Sequence, residues 1–188
     1  MEELKLKYFK GFLNRTKLCL DDFVFKLQEW ESRIRSCYAG LVSFNSNDFR
    51  KIIIIDACFI IEHFLRYFRY KNWMKNDPIL LKPWLFSEIK CDLVLLENQL
   101  PFLVIEDIYK LAIINLEFPS FITITIYYFQ QFNMQNLNSE TCSKHFTYLL
   151  RTFLLPSSFD FVQEMGNANY AIEHVYSVSQ IIRSRIGI

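Results

Sequence analysis

The sequence predicts an all-α fold, an irregular helical array, with a minor β alternative confined to residues 121–129. Three observations carry this reading. Gly and Pro are scarce, at 4 and 5 in 188 residues, where a sandwich or barrel would use more of both in tight turns. Apolar residues recur at helical spacing over several long segments. Hydrophobic residues make up 52% and aromatics 17%, enough for a sizeable core in one domain.

Each element follows from its own pattern. Glu2 to Asn14 reads as a charged amphipathic helix. Leu20 to Tyr38 is the clearest helix, with Phe23, Leu27, Trp30, Ile34 and Cys37 on one stripe. Glu29–Arg33 and Glu31–Arg35 are i,i+4 pairs in the favourable order. Residues 40–47 form a turn, and Ser46, Asn47 and Asp48 are cap candidates for a helix from about Asp48 to Tyr70. That helix is apolar around most of its circumference, so it belongs at the centre. Lys71 to Trp84, with Asp77-Pro78 and Pro83, reads as a loop. Glu88 to Leu100 reads as a helix. Pro101 suits the first position of another, lined by Phe102, Ile105, Tyr109, Ala112 and Leu116. Phe121 to Phe129 alternates Ile and Thr like a strand, yet an isolated strand has no partner, which favours helix. Ser139 to Leu155 and Asn169 to Arg185 complete the array.

Charge and cysteine usage narrow the function classes. Net charge is +1, with no block of like charges, so nothing predicts a nucleic-acid partner. Five dispersed cysteines exclude CxxC motifs and do not resemble a disulfide framework, which points to a reducing compartment. No signal peptide and no clean apolar run of membrane-spanning length is read here.

Signatures of chemistry are missing. There is no GxSxG, no HxxxH, no HExxH, and the four glycines are isolated. No catalytic, cofactor-binding or metal-ligating residue is therefore expected. More informative are polar residues inside apolar runs: Asp56, Glu62 and Arg66 in one segment, and Asp92, Glu97, Asn98 and Gln99 in another. Buried charges need partners. These carboxylates are expected to meet Arg33, Arg35 or Arg66, or to cap backbone N–H groups, as a structural polar network. The alternative is a hydrolase or transferase that uses Asp56 or Glu62 with Asp92 or Glu97 as a carboxylate pair.

These residues also carry a resemblance. The block Glu31-Ser-Arg33-Ile-Arg35-Ser-Cys37-Tyr38 and the block Asp56-Ala-Cys58-Phe-Ile-Ile-Glu62-His-Phe-Leu-Arg66 resemble two blocks of the plant domain of unknown function 247. Asp77-Pro78 with Trp84 is similar to the linker that follows. The run from Asp92-Leu93 to Glu97-Asn98-Gln99-Leu100-Pro101-Phe102 is the most specific match, and His145 to Pro156 resembles a later region. The resemblance covers residues 1–156; residues 157–188 read as a divergent C-terminal helix or tail. It implies a truncated member of a family without agreed enzymatic activity. It further implies an interaction or recognition role with an unknown protein partner, and membrane association in longer relatives through a C-terminal hydrophobic segment that this chain lacks. A truncated core is expected to leave one side open.

Overall fold

The structure, a computed structural model, describes residues 2–16, 20–38, 43–69, 77–95, 98–113, 117–138, 141 and 143–155. Among them are seven α-helices, one 3₁₀ turn and no strand. The predicted all-α class is observed. The expected helix at Asn169 to Arg185 and the positions of Glu97 and Leu116 lie outside the described residues.

The chain divides into two compact units, the described parts of Met1–Trp73 with Leu100–Tyr128 and those of Met74–Gln99 with Phe129–Ile188. The first unit is organised around α3 (Ser46–Phe68), which packs against α1 (Glu2–Thr16), α2 (Leu20–Arg35), α5 (Phe102–Ile113) and α6 (Phe121–Tyr128). The run from Ala57 to Arg66 is buried at every position, as expected of a central helix that is apolar around most of its circumference. Its start differs from expectation. Asn45 is the cap: its Oδ1 accepts from the Asp48 N–H at 2.9 Å, and its Nδ2 donates to the Asp48 carboxylate at 2.7 Å. This reciprocal pair satisfies the first turn two residues earlier than the predicted Asp48.

In α2, Phe23, Leu27 and Ile34 are buried as the stripe predicts, but Cys37 is exposed. The helix stops at Arg35, and Cys37 and Tyr38 close it with i→i+3 bonds to Ile34 and Arg35. Glu31 pairs with Arg35 at 2.9 Å, whereas Glu29 pairs with Lys26 rather than Arg33.

Helix α5 begins one residue after Pro101, whose carbonyl accepts the first helical bonds from Val104 and Ile105. Helix α6 resolves the 121–129 ambiguity in favour of helix. Ser120 supplies the cap, its Oγ accepting from the Thr123 N–H at 3.4 Å. Thr125 donates its hydroxyl back to the Phe121 carbonyl at 2.8 Å, so its polar atom is satisfied inside the core.

The second unit holds α4 (Pro83–Asp92), a 3₁₀ turn (Gln130–Phe132) and α7 (Phe146–Leu154). Helix α4 starts and ends earlier than the predicted Glu88–Leu100, and Pro83 suits its first turn because it needs no N–H partner there. The preceding turn is tied by Asp77, whose Oδ1 accepts from the N–H groups of Ile79 and Leu80, each at 3.0 Å. Helix α7 is shorter than the predicted Ser139–Leu155. His145 caps it, Nδ1 accepting from the Tyr148 N–H at 3.2 Å.

Candidate functional site

Among the described residues, Glu62 is the most enclosed of the predicted site residues. It lies mid-helix in α3 with a side chain 1% exposed. Both its oxygens are bonded. Arg15, at the end of α1, donates Nη2 to Oε1 and Nε to Oε2, each at 2.9 Å, while Arg66 donates Nε to Oε1 at 2.8 Å. Side chains of Arg15 and Arg66 are 12% and 11% exposed. A bidentate fork and an i,i+4 bond therefore meet on one carboxylate. The Arg66 guanidinium also lies 4.2 Å from the centre of the Tyr8 ring.

Gly11 makes this clasp fit. A Cβ there would lie 2.5 Å from Arg66 Nη2 and 3.2 Å from Glu62 Oε1. The glycine lets α1 pass close over the charged groups. Two more contacts register the same helix pair: Lys5 bonds Asp56 at 2.6 Å, and the Tyr8 ring lies 5.3 Å from Phe59. The contacts ascend both helices together, so α1 and α3 run in the same sense.

The other predicted residues do not join this clasp. Asp56 is bonded to Lys5 and not to Arg33, Arg35 or Arg66. Arg33 is exposed and lies 3.8 Å from Asp107. Arg35 reaches Glu31, donates to the Phe44 carbonyl at 3.0 Å and lies 4.1 Å from the Phe49 ring centre. Burial pushes the Glu31 carboxyl up, but hydrogen bonds from Ser46 and Arg35 and the charges of Arg35 and Arg50 leave it below its ordinary value.

Gln99 works differently, within the second unit. Its amide donates to the Leu93 and Leu95 carbonyls at 2.8 and 2.7 Å, and its Oε1 accepts from the Thr147 N–H at 3.4 Å. Thr147 returns a hydroxyl bond to the Val94 carbonyl at 2.8 Å. Gln99 thus closes the turn after α4 and holds the first turn of α7. Asn98 is exposed and donates to the Asp92 carbonyl at 3.4 Å; the Asp92 side chain is exposed at the end of α4.

Three further features lie outside the predicted polar network. His63 is fully buried beside Glu62, its Nε2 2.9 Å from the Tyr128 hydroxyl. Lys90, 3% exposed, sits 5.2 to 5.9 Å from the ring centres of Phe86, Phe132 and Phe129, and burial pulls its amine down to about 8. Cys58 is buried on α3, and burial together with the Glu62 charge pushes its thiol well up. A lysine between Ile89 and Cys91 and a histidine between Glu62 and Phe64 are the faint signals that precede them. No group of three or more His, Cys, Asp or Glu among the described residues could hold a metal ion. No helix among them is long and apolar enough to cross a membrane.

Two curated relatives are similar in sequence, both from Arabidopsis thaliana. The UPF0481 protein At3g47200 is 38% identical over 79 residues, 42% of this chain and 16% of that protein. The putative UPF0481 protein At3g02645 is 31% identical over 106 residues, 56% of this chain and 19% of that protein. The matched stretches thus cover less than a fifth of either relative. No solved structure matches it. The profile of the plant protein family of unknown function 247 matches residues 1–188, the whole length within which the Glu62 and Gln99 blocks stand. The chain belongs to the plant domain of unknown function 247 family.

Proposed function

We propose that the chain is a non-enzymatic helical interaction module, in which the motif residues build the scaffold and exposed apolar side chains meet a protein partner. What supports the scaffold half is the bonding of the motif itself. Glu62 is held by two guanidiniums, Asp56 by Lys5, and Gln99 by three backbone groups. A carboxylate that serves as general acid or base needs an oxygen open to substrate.

The observation that carries the binding half is the start of α4. Trp84 is 63% exposed and Leu81 54% exposed, three residues apart, with the exposed Lys82 and Pro83 between them. Exposed tryptophan is enriched where proteins meet partners. The test is affinity capture from plant tissue with the wild-type chain and with Leu81→Ser/Trp84→Ser. A specific partner should be recovered by the first and lost with the second. Equal recovery by both, or nothing above background with the wild type, would reject the reading.

A further inference from the structure

The environment of His63 has a functional implication that the clasp beside it does not. None of its surface is exposed. Its ring lies parallel to Phe59 at 6.1 Å, tilted against Tyr8 and Phe64 at 6.2 Å each, and edge-on to Tyr128 at 5.3 Å. Tyr8 comes from α1, Phe59 and Phe64 from α3, and Tyr128 from α6. The imidazole is where three helices of one unit meet. With no surface exposed, a charge on it would lie away from bulk water.

We propose that His63 makes this three-helix joint a proton-sensitive switch: the folded chain holds a neutral imidazole, and proton uptake there opens the joint. The charges of the neighbouring clasp favour neutrality. On α3 itself are Glu62 and Arg66; from α1 come Arg15, and Lys5 bound to Asp56. In the clasp two guanidiniums face one carboxylate, so a charged His63 would add to an excess of positive charge. Helix α6 offers the Tyr128 phenol, and α5 turns in Tyr109, whose hydroxyl donates to the Pro119 carbonyl. Helix α2 buries Phe23, Leu27 and Ile34, and its largely buried Glu31 is paired with Arg35 and lies 3.8 Å from Arg50. Ring faces attract cations, but a fully buried ion loses all of its hydration, which is the larger effect.

The sign follows from linkage. An unfolded or opened chain takes up a proton at this histidine as pH falls through about 6.5. The closed joint does not, so the open state binds more protons and stability falls with falling pH. One such proton raises the opening constant by about tenfold per pH unit below that point.

The test compares urea unfolding of the full chain between pH 8 and pH 5 with that of His63→Gln. The glutamine amide reaches Tyr128 in place of Nε2 and cannot become charged. The variant should lose about one proton of acid sensitivity, the contributions of His145 and His174 remaining in both proteins. An unchanged slope overturns the proposal. If the variant does not fold, ring-proton NMR of the wild-type chain decides. The His63 signal should keep its neutral position for as long as the native spectrum persists. Titration of that signal near or above pH 6.5, with the native spectrum intact, also overturns it.

Discussion

The two units are held by different means. In the first, long helices cross and side chain meets side chain: Arg15 and Arg66 on Glu62, Lys5 on Asp56, His63 on Tyr128. In the second, short helices are stitched by side chains bonded to backbone: Asp77 to Ile79 and Leu80, Gln99 to Leu93 and Leu95, Thr147 to Val94, Asn133 to Leu137. Helix length accounts for the difference. A long helix satisfies its own backbone, so polar residues inside it must find other side chains. Short elements leave many terminal N–H and C=O groups, and amides and hydroxyls satisfy those. The first arrangement should therefore fail sharply when one partner is removed, and the second more gently.

The largest expected effect comes from Glu62→Ala, which leaves two nearly buried guanidiniums without their carboxylate. It should lower stability by about 3–5 kcal/mol in urea unfolding. A loss no greater than that of Glu29→Ala, on the surface, would show that the clasp contributes little. Next is Gly11→Ala. Helix propensity alone would favour alanine by about 1 kcal/mol. The added Cβ must displace the Arg66 Nη2 end, however, which the Glu62 bond and the Tyr8 ring hold in place, and a net loss of about 1–3 kcal/mol is expected. If Gly11→Ala stabilises instead, the close crossing of α1 and α3 is not as described. Combined with Glu62→Ala it should cost less than the sum, since both break the same contact.

Gln99→Ala tests the second style of bonding. Two carbonyls and the Thr147 N–H lose a partner, but the site is partly exposed and water can replace it. A loss of about 1–2 kcal/mol is expected, with faster amide exchange at Thr147. Unchanged exchange there would detach Gln99 from α7. The smallest effect concerns His145. Burial and Lys144 hold its imidazole below the ordinary value, and Nδ1 must be unprotonated to cap α7. The folded group is depressed, so its contribution is present above the unfolded histidine value and is lost as pH falls. Fraying at Phe146–Tyr148 should appear on acidification and be absent in His145→Asn, whose side chain caps at every pH. Equal fraying in both would exclude the imidazole as the cause.

Much of this was legible in the sequence, and the limits have physical causes. The apolar stripe of α2 and the central place of α3 followed from periodicity, because burial leaves that mark directly. The pairing of Glu62 with Arg66 followed from i,i+4 geometry. Arg15 did not, since nothing local tells a residue at the end of α1 which carboxylate it will reach 47 positions later. Gln99 stood out as a polar residue in an apolar run, yet its partners are backbone groups, which carry no sequence signature. Element ends were least legible: Asn45, Ser120 and His145 cap their helices through single hydrogen bonds. The role of Gly11 is invisible without α3 beneath it.

Cys58 gives the first unit an internal clock. Its thiol is sealed on α3, four residues before Glu62, and held in the unreactive protonated form. Cys37 on the surface should be alkylated at once. Where the reagent reacts faster than the unit recloses, the rate at which Cys58 follows should be the rate at which the first unit opens around α3. A thiol reagent and a stopwatch would measure that motion in the unaltered chain.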